Sequence, residues 1–241
     1  MLGLAGVLAI GISSEVKAQE FPGQNENAVD FSAFNSSFIW SYGCKVDICG
    51  ADVEVIRGFT DRVAGYFRGG VANPVINEGF RNPNNKNEFY DLSPNNFIGE
   101  FGIGGRGKFF ESDTKDISIC GGLEISKISE FEDRVNWNSR ERSEFHIDGI
   151  TSLDGDLWAE KKYKNLDVRA GVNVSCSYCQ GEALTYTPDF PDGKFTPINW
   201  RNKTAVNGLF GADYKKDDWI YSIDAKVGKG FGIEIGVGKK W

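Results

Sequence analysis

With 241 residues the chain is long enough for one domain or one barrel, and its 30 glycines and 13% aromatic content suit a glycine-bent β-wall. A formal net charge of -7 argues against a nucleic-acid partner, because phosphate binding asks for a basic patch. No apolar run reaches the ~18 residues of a membrane-spanning helix, and Met1 and His146 are the sole methionine and histidine, which shortens the catalytic menu.

Leu2 to Ile12 is a short apolar run, and Val16-Lys17-Ala18 before Gln19 reads as a small-residue cleavage site, so residues 1–18 are expected to be a signal peptide. No Lys or Arg precedes that run. Residues 19–35 are polar and Asn-rich and read as a flexible leader, leaving 36–241 for the folded body. There, Phe38, Trp40, Tyr42, Cys44, Val46 and Ile48 share one parity, which predicts a first strand.

Residues 51–71 fit two periods. Period two gives a hairpin turning at Thr60-Asp61; period 3.6 gives a short amphipathic helix over 52–68, ended by Gly69-Gly70. Gly58 and Gly65 weaken the helix, so the hairpin is preferred. It implies about ten strands, and the helix eight.

Residues 72–96 read as a long loop. A hairpin follows, with Phe97, Phe101, Ile103 and Phe109 alternating against Glu100, Arg106 and Lys108, a turn at 111–116, then Ile117, Ile119, Leu123 and Ile125 against Ser118, Cys120, Glu124 and Ser126. After a charged loop at 130–143, a strand from about Phe145 to Ala159 sets Ile147, Leu153 and Leu157 against His146, Asp148, Asp154 and Asp156. Beyond the turn at 161–165, Leu166, Val168, Val172 and Val174 oppose Asp167, Arg169 and Asn173. A third long loop spans 180–203. Val206, Phe210 and Tyr214, a turn at 215–218, and Trp219, Tyr221, Ile223 and Val227 lead to a last strand in which Phe231, Ile233, Ile235 and Val237 alternate up to Trp241.

That last stretch resembles the closing strand of Gram-negative outer-membrane β-barrel proteins, the small OmpA-like or opacity-type barrels among them; Lys239 departs from the pattern. The resemblance implies an all-β, antiparallel, up-and-down transmembrane β-barrel in the outer membrane, in contact with its lipids. It also implies recognition of 231–241 by the barrel-assembly machinery. Loop lengths agree: short connections alternate with the long ones at 72–96, 130–143 and 180–203, as periplasmic turns alternate with external loops. In a soluble lipocalin-like barrel that bound lipid, the same apolar parity would face inward.

On the barrel reading, Glu100, Arg106, Lys108, Glu124, Asp148, Arg169, Asp224, Lys226 and Glu234 form a charge network in the lumen, and Trp40, Tyr42, Tyr214, Trp219, Tyr221 and Trp241 mark membrane interfaces. Cys44 with Cys49 and Cys176 with Cys179 are candidates for local disulfides in an oxidising compartment, with simple free thiols the alternative. A single histidine supplies too few ligands for zinc. Asp148, Asp154, Asp156 and Glu160 are too spread along a strand for one calcium ion, and no cofactor or metal is expected. His146 with Asp148 is the one candidate acid–base pair, for an outer-membrane hydrolase or acyltransferase. A narrow solute channel is another alternative. The preferred expectation is a non-enzymatic barrel with a structural or surface-interaction role, adhesion or reception of an extracellular ligand, through its long loops.

Overall fold

The computed structural model describes Pro22 and residues 24–40, 44–82, 85, 88–94, 96–201 and 204–240. They form thirteen strands: β1 (Asn27–Ile39), β2 (Lys45–Thr60), β3 (Val63–Arg81), β4 (Phe89–Leu92), β5 (Ile98–Glu111), β6 (Ile117–Ile128), β7 (Phe131–Asn138), β8 (Glu141–Tyr163), β9 (Leu166–Thr187), β10 (Phe190–Arg201), β11 (Ala205–Lys216), β12 (Trp219–Gly228) and β13 (Phe231–Lys240). Ten of them, β1, β2, β3, β5, β6, β8, β9, β11, β12 and β13, pair antiparallel in that order, and β13 returns to β1. The ring leaves no open edge, so backbone groups along its wall pair from strand to strand. The remaining β4, β7 and β10 lie on strands that overrun the ring at one rim, pairing with β3, β8 and β9. We call this end the hairpin rim and the opposite end, with its short connections, the turn rim.

The hairpin at Thr60–Val63 settles the ambiguous stretch: β2 pairs with β3 from Lys45–Asn77 down to Thr60–Val63, so the helix and the eight-strand count are both excluded.

Which face is apolar changes along the strands. Toward the turn rim the wall is apolar outside and largely polar inside, with small buried clusters around Ile56 and Trp158 among the charges. On β9, Val172 and Val174 are exposed while Asp167, Arg169 and Asn173 are buried. Toward the hairpin rim the order reverses: Cys179 and Ala183 are buried within, and Gln180 and Glu182 face out. β2 shows the same reversal, with Asp52 and Glu54 buried low and Val46 and Ile48 buried high. From Leu166 to Cys176 the outward apolar run of β9 covers about 33 Å of strand, which at a tilt near 40° makes a belt about 25 Å tall. The lower storey therefore has the polarity of a membrane barrel. The upper storey has the polarity of a water-soluble sheet, with its own apolar core.

β8 makes this change through a bulge. Its pairing with β9 slips between Ile147 and Gly149, and Gly149 sits at φ 110°. A Cβ at Gly149 would lie 2.3 Å from the Ile128 carbonyl oxygen, so glycine is required there. The slip turns Ile147 inward together with Asp154 and Asp156, and leaves His146 and Asp148 outside. The single continuous face expected for this strand is thus corrected.

Several other expectations are corrected. Much of the leader proposed for 19–35 is wall: β1 begins at Asn27, and Ala28, Asp30, Ser32 and Phe34 face inward. The strand expected over Phe38–Ile48 is the end of one strand and the start of the next. The three long loops are largely strand, carried by β3–β4, β7–β8 and β9–β10. The cysteines are free thiols. Cys44 and Cys49 are five residues apart along extended chain, and Cys176 and Cys179 point to opposite faces of β9, both beyond the ~7 Å Cα limit of a disulfide. Trp40 is no interface residue, being only 2% exposed, whereas Tyr214, Trp219 and Tyr221 stand on the outer surface near the turn rim. Tyr42, Trp241 and residues 1–18 lie outside the described residues.

Candidate functional site

Two sites follow from the two storeys. The lower lumen holds a layer of paired charge, positioned by inward parity. Arg68 of β3 reaches Glu124 at 2.5 Å, Glu100 at 3.1 Å and Asp52 at 3.7 Å. Arg106 of β5 binds Glu54 at 2.5 Å and lies over the Tyr66 ring, whose hydroxyl donates to Glu124. Arg169 of β9 clamps Asp224 in a two-point contact and Asp213 at 3.0 Å. Lys226 of β12 faces Asp154 and Asp156 at 3.9 and 3.8 Å, and Asn173 donates to both carboxylates. Most of the expected lumen residues meet here, Glu234 among the buried ones. Two do not join the layer: Lys108 pairs with Glu111 at the turn rim, and Asp148 is exposed on the outer face because of the bulge. Asp52, Glu54, Tyr66, Arg68 and Asp213 are members that sequence reasoning left out, although all lie on polar parities.

Above this layer the lumen is filled with apolar side chains. Phe34, Trp40, Val46, Ile76, Phe145, Ile147, Ile150 and Trp200 belong to one buried cluster. Between layer and cluster lies a serine-lined cavity of about 50 Å³, room for no more than a few water molecules. Five inward positions, Ser36, Ser126, Ser152, Ser175 and Ser177, border it.

The upper storey continues above the wall as a sheet in the order β7–β8–β9–β10, which we call the head. β4 is tied to it where Tyr90 donates to Asp133 at 3.3 Å and the Ser93 amide donates to the same carboxylate at 2.9 Å. Burial, and secondarily the Asp133 charge, push the Tyr90 phenol above its ordinary value. Phe80, Tyr90, Trp137 and Phe145 pack ring against ring beneath.

On the outer face of the head, cross-strand pairing sets Glu132, His146 and Glu182 side by side. His146 Nδ1 lies 3.4 Å from Glu132 and Nε2 lies 3.5 Å from Asp148. A pocket of about 430 Å³ opens there, its walls including Asp133, Arg134 and Glu144. Arg142 pairs with Glu144 at 3.3 Å and covers the Tyr186 ring. A histidine between two carboxylates can accept or hold a proton. The serines near it in sequence are turned away: Ser143 faces inward and bonds Trp137 and Thr185, and Ser152 bonds Ser177 in the lumen. The pair His146–Asp148 is therefore brought together, but without a serine nucleophile beside it among the described residues.

No family model and no curated protein matches this sequence. Among solved structures, the translocator domain of the autotransporter NalP from Neisseria meningitidis aligns with a TM-score of 0.51 at 10% identity, over 91% of this chain and 89% of that one. The outer membrane protease OmpT from Escherichia coli aligns with a TM-score of 0.50 at 10% identity, over 93% of this chain and 99% of that one. The fold is that of an outer-membrane β-barrel. At this identity the likeness concerns architecture alone, and the ring closure and apolar outer belt agree with it independently.

Proposed function

We propose that this outer-membrane barrel is a surface-interaction protein, in which a closed wall anchors a folded head that meets an extracellular partner. The observation that carries this reading is the double closure of the lumen, by the ion-paired layer and by the apolar cluster above it. Such an interior suits a support better than a conduit. On this reading the hairpin rim is external, the turn rim and both chain ends are periplasmic, and residues 1–18 are removed on export. Residues 231–241 would be the strand offered to the assembly machinery.

Heat-modifiability tests the architecture. Unboiled protein from the outer-membrane fraction should migrate anomalously in SDS and shift on boiling; an unshifted, soluble protein would reverse the reading. Planar-bilayer recording tests the role, and discrete single-channel steps would favour a solute channel. Binding of cells displaying the protein to host glycans or matrix proteins should fall when Glu132, Glu144 and Glu182 are replaced by lysine together.

A second reading has one specific observation behind it: His146 sits in a pocket between Glu132 and Asp148. On this reading the site is a hydrolase that activates water, with His146 as general base. The purified barrel should then cleave peptide or ester substrates, and His146→Ala should abolish turnover. Failure of the wild-type protein to turn over any substrate in such a panel would remove it.

A further inference from the structure

We propose that the outer wall across β5, β6, β8, β9 and β10 holds one lipid with a negatively charged phosphate headgroup, seated at the level where the wall changes polarity. Cross-strand pairing aligns Lys127, Thr151, Tyr178 and Arg201 in one row. All belong to the outward parity, Lys127 and Arg201 are exposed, and Arg201 lies against the Tyr178 ring. Two cations thus flank two hydroxyls across adjacent strands about 4.8 Å apart. Neither cation makes an ion pair with a carboxylate among the described residues.

Beneath this row the wall becomes wholly uncharged, rung by rung. The next rung pairs Ile103, Ile125, Leu153 and Cys176. Then Gly105, Leu123, Gly155 and Val174 pair, followed by Gly107, Gly121, Leu157 and Val172. These last two rungs line an outward groove of about 740 Å³, which exists because glycines alternate with branched side chains. On β6, β8 and β9 alike, the groove lies four and six residues below the charged row. That separation is about 13 to 20 Å of strand, or roughly 10 to 15 Å of depth at a tilt near 40°. It matches half the thickness of a hydrocarbon core of ~30 Å, the reach of an acyl chain whose headgroup rests on the row.

Charge complementarity selects the occupant. An anionic phosphate would gain the attraction of both cations and hydrogen bonds from Thr151 and Tyr178, while a zwitterionic headgroup brings its own cation toward Lys127 and Arg201. Lys127 and Arg201 both draw anionic lipid at the membrane surface, so a preference of roughly 30-fold is expected from the two.

The test is native mass spectrometry of the full-length protein released from nanodiscs of equimolar phosphatidylglycerol and phosphatidylcholine. The wild-type barrel should retain one phosphatidylglycerol in preference to phosphatidylcholine. Lys127→Glu with Arg201→Glu should abolish the preference, and the milder Lys127→Gln with Arg201→Gln, which keeps the side-chain length, should reduce it. Gly155→Leu, which fills the groove, should lower retention of both lipids. Equal retention of the two lipids by the wild type overturns the proposal, as does a preference unchanged in the charge variants. Displacement of the lipid by inorganic phosphate alone would overturn the role of the groove. The inference rests on the membrane reading, and the two fail separately. A protein that shows no heat shift fails that reading; a heat-modifiable protein with no lipid preference fails only this inference.

Discussion

The indole of Trp40, in the turn that leaves β1, lies against that of Trp200 on β10, with ring centroids 5.6 Å apart. Two segments far apart in sequence thereby lock together over the top of the lumen. Both indoles are largely buried, at 2% and 9% exposure. Trp200→Ala should therefore destabilise the head by about 3 to 5 kcal/mol, the usual loss for a buried tryptophan. Limited proteolysis of the folded, detergent-bound protein should show early cuts near β10, while the heat shift of the barrel survives.

In the lower lumen Arg169 holds Asp213 and Asp224 together. Arg169→Met leaves two buried carboxylates facing each other and should cost about 3 to 5 kcal/mol. The temperature at which the barrel unfolds in SDS should drop. Adding Asp213→Asn and Asp224→Asn to the same variant should recover most of that drop, because the repulsion goes with the charge.

The Tyr90 phenol, raised by burial and by Asp133, gives the head an alkaline limit. A group raised in the folded state stabilises fully below its unfolded value, near pH 10 for tyrosine, and loses that contribution as pH rises through the folded value. Near-ultraviolet circular dichroism should show an alkaline transition above that pH, and Tyr90→Phe should remove it.

Cys176 and Cys179 report on the two faces of one strand. In the membrane-inserted protein, a nitroxide attached at Cys176 should be relaxed by oxygen and shielded from a water-soluble nickel chelate, since the side chain stands in the apolar belt. Cys179, buried in the head core, should resist labelling until the protein is boiled. Equal access of the nickel chelate to Cys176 would place that face in water.

Much of the wall was legible because parity is a property of the chain itself. Glu100, Arg106, Glu124, Arg169, Asp224, Lys226 and Glu234 are inward as their alternation implies. What stayed hidden has one physical cause, the exchange of apolar and polar faces partway up the barrel. Phe38 and Trp40 face inward on one side of a turn, and Val46 and Ile48 face inward on the other, so alternation runs through the turn as if none existed. Asp30 and Ser32 face inward and Asn35 faces outward, which made the start of the first strand look like part of a polar leader. The bulge at Gly149 shifted Asp148 out of the lumen without leaving a break in the hydrophobic pattern. The row Glu132–His146–Glu182 depends on pairing between strands and cannot be read from any one of them.

The exchange of faces also fixes the height at which this molecule floats. Sinking further would drag Lys127, Gln180 and Glu182 into hydrocarbon, and rising would lift Leu153 and Val174 into water. Charged groups cost up to about 2 to 4 kcal/mol each as they approach the bilayer midplane, so the penalty mounts on several strands at once. The wall acts as a waterline marked on the hull, and it would hold the His146 pocket at a constant clearance above the lipid.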